Sequence, residues 1–280
     1  GDLPIQKANG KLKSRFTEES FTKYLEDTKE KKFHGWLYLE DCFVMVFLTS
    51  VQHRMGIMGS VGEIGIHHGK FTLPLVMAAD PQERVFASDL FETRDILNAS
   101  MDGPGLIKKK VFMGHLNDYG LTEGDMVMVK SMDSVNLKPS FLKKEKFHAF
   151  RMFSVDGDHT HVMNSKDLLL ACNIIAPGGM IILDDYVNPS YMGVASSLFD
   201  FLRREKNVEV FFLASNKAFL TTADYVSVYV KALTEFGFCT NERTKLVREE
   251  KIFHEETCTL DCCQEDLGIE GMTKLIREML

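Results

Sequence analysis

The stretch Phe153–Tyr186, FSVDGDHTHVMNSKDLLLACNIIAPGGMIILDDY, decides the fold. Two apolar, strand-like runs each end in acid: Asp156 after the first, Asp184 and Asp185 after the second. Between them Lys166 to Ile175 reads as a helix and Pro177-Gly178-Gly179 as a tight turn before the strand Met180 to Leu183. In an open parallel sheet ligands bind at the carboxyl ends of the strands, so this strand, helix and strand would bring Asp156 and the Asp184-Asp185 pair into one crevice. Three carboxylates converging there point to a metal or a catalytic site.

Working outward, Val61 to Ile66 reads as a strand, Gly69 to Ala79 as a helix and Arg84 to Ser88 as a second strand ending in Asp89, which is a βαβ unit. A helix near Thr93 to Ser100, a segment Lys109 to Phe112, a strand Asp125 to Lys130 ending near Asp133, and a helix Val194 to Glu205 continue the alternation. Val208 to Leu213, Ala218 to Thr221 and Tyr225 to Val230 read as strands that add an antiparallel edge. The fold class is α/β: a doubly wound, mostly parallel, Rossmann-like sheet with helices on both faces. Residues 1–55 form a helical flank or lid, 56–235 the core and 236–280 a C-terminal extension.

With 280 residues, 45% of them hydrophobic, the chain can bury a sizeable core. The longest apolar run of note, Phe43 to Leu48, is too short for a membrane span and reads as buried helix. The N-terminus lacks an apolar signal core, so the expected compartment is the cytoplasm. A net charge of −7, with lysines only in short runs, argues against nucleic acid as a partner. The six cysteines lack zinc spacing and are expected to be reduced thiols.

The loop Glu63-Ile64-Gly65-Ile66-His67-His68-Gly69 follows a strand and opens a helix, where glycines let the backbone approach a ligand and free amides favour an anionic end. Its glycines do not make the dinucleotide fingerprint GxGxxG, which makes an NAD-dependent oxidoreductase the weakest reading. Asp89, 26 residues after Glu63, ends the second strand, where a carboxylate commonly accepts both hydroxyls of a ribose. An adenosine-bearing cofactor fits that order.

With ExGxxxG at Glu63–Gly69, SDLF at Ser88–Phe91, DGDH at Asp156–His159 and PGGMIILDDY at Pro177–Tyr186, the chain resembles the class I S-adenosylmethionine-dependent methyltransferases. In detail it is similar to the metal-dependent macrocin and novobiocin-pathway O-methyltransferases; the later GVASSLFDFL and SNKAFL segments also fit. The resemblance implies S-adenosylmethionine as cofactor, with Glu63 and Gly65 near its methionine part, Asp89 on the ribose, and Asp133 and Ser134 near the adenine. It further implies Gly69, Leu90, Phe91, Asp156 and His159 as cofactor-binding residues. One departure is that the family's loop often carries a small hydroxyl residue two places after its last glycine, where this chain has Phe71 and then Thr72.

Asp156, Asp184 and Asp185 are hard oxygen ligands of the type magnesium accepts, so magnesium is the expected metal; manganese or iron is the alternative, with His159 or His161 able to supply nitrogen. A bound divalent cation would acidify an acceptor hydroxyl, and the resemblance implies Asp158, the second acid of DGDH, as the base that removes its proton. The expected partner is a small-molecule methyl acceptor, with Tyr186, Tyr191 and Met192 as candidate pocket residues. Apolar N-terminal helices could build a homo-oligomer. A nitrogen or carbon acceptor would leave the cofactor loop unchanged, and a catalytically silent cofactor-binding module is the reading from outside enzymology.

Overall fold

In the computed structural model, which describes residues 17–91, 109–122, 126–239 and 258–259, the centre of the sheet is β1 (Ser60–Ile64), β2 (Val85–Asp89) and β4 (Phe150–Val155), every residue of which is buried. Covered by helices on both faces, these strands bury every position and so show no strict apolar–polar alternation; of their polar members, Glu63 and Arg151 are buried with partners. With β3 (Val127–Ser131), β5 (Ile175–Leu183), β6 (Val208–Leu213), β7 (Ala218–Thr222) and the two-residue β8 (Cys258–Thr259), the order is 3-2-1-4-5-7-6-8. The first five strands are parallel, β7 is antiparallel to both β5 and β6, and β8 lies parallel to β6. The chain winds outward from β1 to β3, then returns to β4 beside β1, so the topological switch point lies between β1 and β4.

The sheet separates two apolar layers. On one face lie α1 (Glu18–Lys29), α2 (Leu39–Arg54), α3 (Thr72–Met77), α4 (Lys109–Asp118) and α8 (Val226–Phe236); on the other α5 (Pro139–Lys144), α6 (His161–Ile174) and α7 (Met192–Arg204). Helix α2 is buried all round from Asp41 to Gln52, which explains the Phe43–Leu48 run: a helix apolar on every side belongs inside. Beneath it Arg151 is fully buried. Its guanidinium donates to both oxygens of Glu83, to Gln52 Oε1 and to the Ala78 carbonyl, so the charge is paired and satisfied.

Several expected boundaries move for local reasons. Helix α6 begins at His161, ahead of the expected Lys166, because the Thr160 hydroxyl accepts from the Met163 amide and caps it. Pro177-Gly178-Gly179 lies inside β5 instead of forming a turn. Lys109 to Phe112 opens a helix. Tyr225 to Val230 is not a strand: alternating valines suggest one, but Val226, Tyr229, Val230 and Leu233 are the buried stripe of α8, and helical spacing wins. The expected helix near Thr93 to Ser100 lies outside the described residues. Cys42 and Cys172 are free thiols, but Cys239 is disulfide-bonded, which corrects the expectation of reduced thiols throughout.

Candidate active site

At the switch point β1 and β4 pinch together: the Asp156 amide donates to the Ile64 carbonyl at 3.0 Å and the Gly65 amide to that of Ser88 at 2.8 Å. A Cβ on Gly65, whose φ is +83°, would stand 1.7 Å from the Asp156 carbonyl oxygen, so only glycine fits. Gly69, with φ +85°, is required for a different reason. A Cβ there would meet the Phe112 ring at 2.3 Å, so this glycine packs against α4 and does not line the cavity.

The cavity, of about 690 Å³, opens over the carboxyl ends of β1, β2, β4 and β5 and is closed on one side by the turn between β6 and β7. Glu63 lies at its base, 1% exposed, accepting from the Ser154 hydroxyl at 3.0 Å and the Thr72 hydroxyl at 2.5 Å. Burial pushes its carboxyl up to about 7 against the pull of Lys217 and the two hydroxyls, with Asp184 adding to the rise. Thr72, one place beyond the Phe71 position at which the loop departs from the family's pattern, spends its hydroxyl on Glu63. Asp89 accepts from the His67 amide at 2.8 Å and the Phe91 amide at 3.2 Å, a carboxylate held by backbone with lone pairs to spare for a ligand's hydroxyls. Leu90 and Phe91 follow it but do not line the cavity. Asp133 and Ser134, just past β3, also stand outside the lining: Asp133 caps a short turn through the Val135 amide and Ser134 donates to Asp167 at 3.1 Å.

The three acids of the opening stretch separate. Asp156 and Asp185 converge with His159, whose Nε2 lies 3.2 Å from Asp185 Oδ2 and 3.7 Å from Asp156 Oδ1. One ligand atom from each of the three falls within 4.8 Å of the others. The His159 Nε2 is buried and hydrogen-bonded to nothing, and its ring stacks on Tyr191 at 3.9 Å between centroids. Asp185 is held at φ +58°, an unusual backbone for a residue other than glycine, and such strain is concentrated at functional sites. Asp184 faces elsewhere: Lys217 Nζ is 3.0 Å from its Oδ2 and Asn216 Nδ2 donates to its Oδ1 at 2.9 Å. Where the sequence reading expects three aspartate ligands, the residues whose ligand atoms come together are two aspartates and a histidine, and Asp184 is instead paired with Lys217. Asp158 is exposed, absent from the lining, and accepts from the Thr160 amide at 2.7 Å, so it turns the chain into α6 instead of facing the cavity.

Lys217 is the residue sequence reasoning missed. It is 1% exposed, 4.3 Å over the Phe71 ring, and surrounded by acids. Burial alone would discharge it, but Asp184, Asp156, Asp41 and Glu63 outweigh burial and raise its pKa. Asp41, also buried, accepts from the Ser215 amide at 3.1 Å, and burial raises its carboxyl to about 7. The available signal was topological: since β7 is antiparallel to β5, the turn preceding it lies on the rim that carries Asp184. At the mouth stand Trp36 and Tyr38, both exposed, with Val187, Pro189 and Tyr191 opposite; Tyr186 and Met192 do not line the cavity.

Residues 63–186 match the family model described as a methyltransferase domain. The solved structures similar to the chain include the O-methyltransferase from Bacillus cereus in complex with SAH, at 16% identity over 73% of this chain and 90% of that one, with a TM-score of 0.53. The O-methyltransferase NovP is similar at 12% identity over 65% and 79%, TM-score 0.53. TomG from Streptomyces achromogenes, in complex with SAM, is similar at 15% over 73% and 89%, TM-score 0.52. No curated protein matches the chain in sequence. The strand order and the antiparallel β7 give the chain the fold of the class I S-adenosylmethionine-dependent methyltransferases, and Glu63 to Tyr186 match the methyltransferase-domain model.

Proposed function

We propose that the protein transfers the methyl group of S-adenosylmethionine to a hydroxyl of a small molecule, assisted by a divalent metal held by Asp156, His159 and Asp185. The observation that carries this reading is the buried, unbonded His159 Nε2 between two carboxylates, in the same cavity as Glu63 and Asp89. An imidazole nitrogen left without a hydrogen bond beside two acids suits a cation better than it suits an empty wall. That similar solved structures are O-methyltransferases supports an oxygen as the acceptor atom.

In this reading the Gly65 turn and the Asp89 carboxylate hold the cofactor's methionine and ribose ends. The mouth residues Trp36, Tyr38 and Tyr191 cover the acceptor. S-adenosylmethionine bound there would supply its sulfonium methyl to the acceptor oxygen, leaving a neutral thioether, and the hydroxyl proton would pass to water. Alignment of two bound molecules and exclusion of water supply most of the rate. A metal bound at the three ligands would make the acceptor hydroxyl more acidic. Asp158 takes no part as placed, since its carboxylate lies outside the cavity.

No helix of the described residues is long and apolar enough to cross a membrane. The reading is tested by titrating S-adenosylhomocysteine into the full chain, then screening hydroxylated small molecules for methylation with and without divalent metal. Metal-dependent methylation of a hydroxyl is the expected result; methylation of an amine, or activity unaffected by chelator, overturns the corresponding part.

A further inference from the structure

The turn between β6 and β7 reaches both members of the Asp184-Asp185 pair and treats them differently. Asn216 Nδ2 donates to Asp184 Oδ1 at 2.9 Å and to Asp185 Oδ1 at 2.8 Å, so one amide fixes the two carboxylates relative to each other. Lys217 Nζ then occupies the second oxygen of Asp184 at 3.0 Å. The second oxygen of Asp185 receives no lysine; it faces His159 Nε2 at 3.2 Å, while Asn188 Nδ2 adds a second donor to its Oδ1 at 2.9 Å. Each carboxylate thus has its Oδ1 satisfied by an amide, and they differ only in what faces Oδ2: an ammonium for Asp184, a bare imidazole nitrogen for Asp185.

We infer that Lys217 sets the metal selectivity of this site by withdrawing Asp184 from the cation, which leaves Asp156, Asp185 and the imidazole of His159 as the donors. The inference rests on the metal-assisted reading above. Three carboxylates would offer an all-oxygen, strongly anionic set suited to magnesium, which dehydrates reluctantly and takes oxygen ligands. Replacing one by imidazole lowers the charge and introduces nitrogen, which suits manganese, iron, cobalt or zinc. The lysine cannot drift away to solvent, since it is buried and packed over the Phe71 ring. Selectivity is therefore fixed by a residue that would touch no metal, some thirty positions along the chain from the acids it sorts.

The test is calorimetric titration of manganese(II) and magnesium into the metal-free full chain, with S-adenosylhomocysteine titrated into each sample. Wild type is expected to bind manganese at least about tenfold more tightly than magnesium. Asp184→Asn keeps manganese affinity within about threefold, whereas His159→Gln lowers it by about tenfold or more. Lys217→Met frees Asp184 and narrows the manganese-to-magnesium ratio by about tenfold. Should Lys217→Met fail to fold, the Asp184→Asn and His159→Gln pair decides. Loss of manganese in Asp184→Asn with retention in His159→Gln overturns the inference, as does equal affinity for both metals in wild type or an unchanged ratio in a folded Lys217→Met. If S-adenosylhomocysteine binds but neither metal does, the inference fails and the methyltransferase class stands; if S-adenosylhomocysteine also fails to bind, the functional reading itself falls.

Discussion

Of the strand ends that carry acids, those of β2 and β5 hold them in opposite ways. At the end of β2, Asp89 is fixed by the amides of His67 and Phe91, one only two residues away and the other in the loop of the adjoining strand. At the end of β5, Asp184 and Asp185 are fixed by side chains of Asn188, Asn216, Lys217 and His159, drawn from three further segments of the chain. Backbone amides are present whatever the sequence, so the first arrangement survives substitution of its neighbours. The second depends on particular residues meeting in space, and a single change there leaves a buried charge alone.

The largest expected effect comes from breaking the second arrangement. Lys217→Ala strands Asp184 in a buried acidic cluster and should cost about 3–5 kcal/mol of unfolding free energy, read by urea denaturation. Removing both charges together, as Lys217→Met with Asp184→Asn, should recover most of that loss, because an ion pair replaced whole by neutral groups is nearly neutral in stability. A double variant no more stable than the single would show that Lys217 matters through packing on Phe71. Breaking the first arrangement should do something else. Asp89→Asn, which keeps an acceptor for one amide, should weaken S-adenosylhomocysteine about 10- to 100-fold in calorimetry, equivalent to about 1.4–2.8 kcal/mol, with metal binding intact. Coupled loss of both ligands would mean the two ends form one site.

The same contrast explains what the sequence disclosed. Glu63, Gly65 and Asp89 sit where strand order and a turn alone put them, so local patterning and motif order were enough to locate them in the cavity. The same patterning located Asp156 and Asp185. It could not tell Asp184 from Asp185, since adjacent residues on a strand end face different ways and the partner that takes Asp184 lies more than thirty residues on. A lysine in a hairpin turn ordinarily points to water, and only the antiparallel pairing of β7 with β5 turns this one inward. Gly69 was legible as indispensable but not for its reason, the Phe112 ring it abuts. Asp158 was legible as an acid in a motif, while the Thr160 amide that holds it outside the cavity was not.

Asp167 offers a smaller effect at a third acid, on α6 behind the β3 end. It is 1% exposed, accepts from Ser134, and burial raises its carboxyl from 3.8 to about 7, with Asp158 and Asp133 adding to the rise. Because the folded pKa lies above the unfolded one, the unfolded chain sheds this proton first as pH rises. The contribution is therefore full below about pH 4, declines between 4 and 7, and stays lost above 7. Within that window the slope from this one group is at most about 1.4 kcal/mol per pH unit. Asp167→Asn should flatten the stability-against-pH curve by about that slope; an unchanged curve would mean that Asp167 is ionised throughout.

The smallest effect is expected at Asp158. Its carboxylate is exposed and bonded to the Thr160 amide in the turn that leads into α6. As a turn residue it is worth about 0.5–1 kcal/mol at most, and asparagine satisfies the same turn, so Asp158→Asn should stay within about 0.5 kcal/mol of wild type. As a catalytic base its loss would lower turnover about 10²- to 10⁴-fold, the range for general-base catalysis, with unchanged affinity for cofactor and metal. The two roles differ so widely that one turnover measurement separates them. A fall in kcat of that size would require the loop from Asp156 to Thr160 to swing Asp158 into the cavity when the acceptor binds. That would make the end of β4, here fixed by its own backbone, mobile between the two fixed ends of β2 and β5.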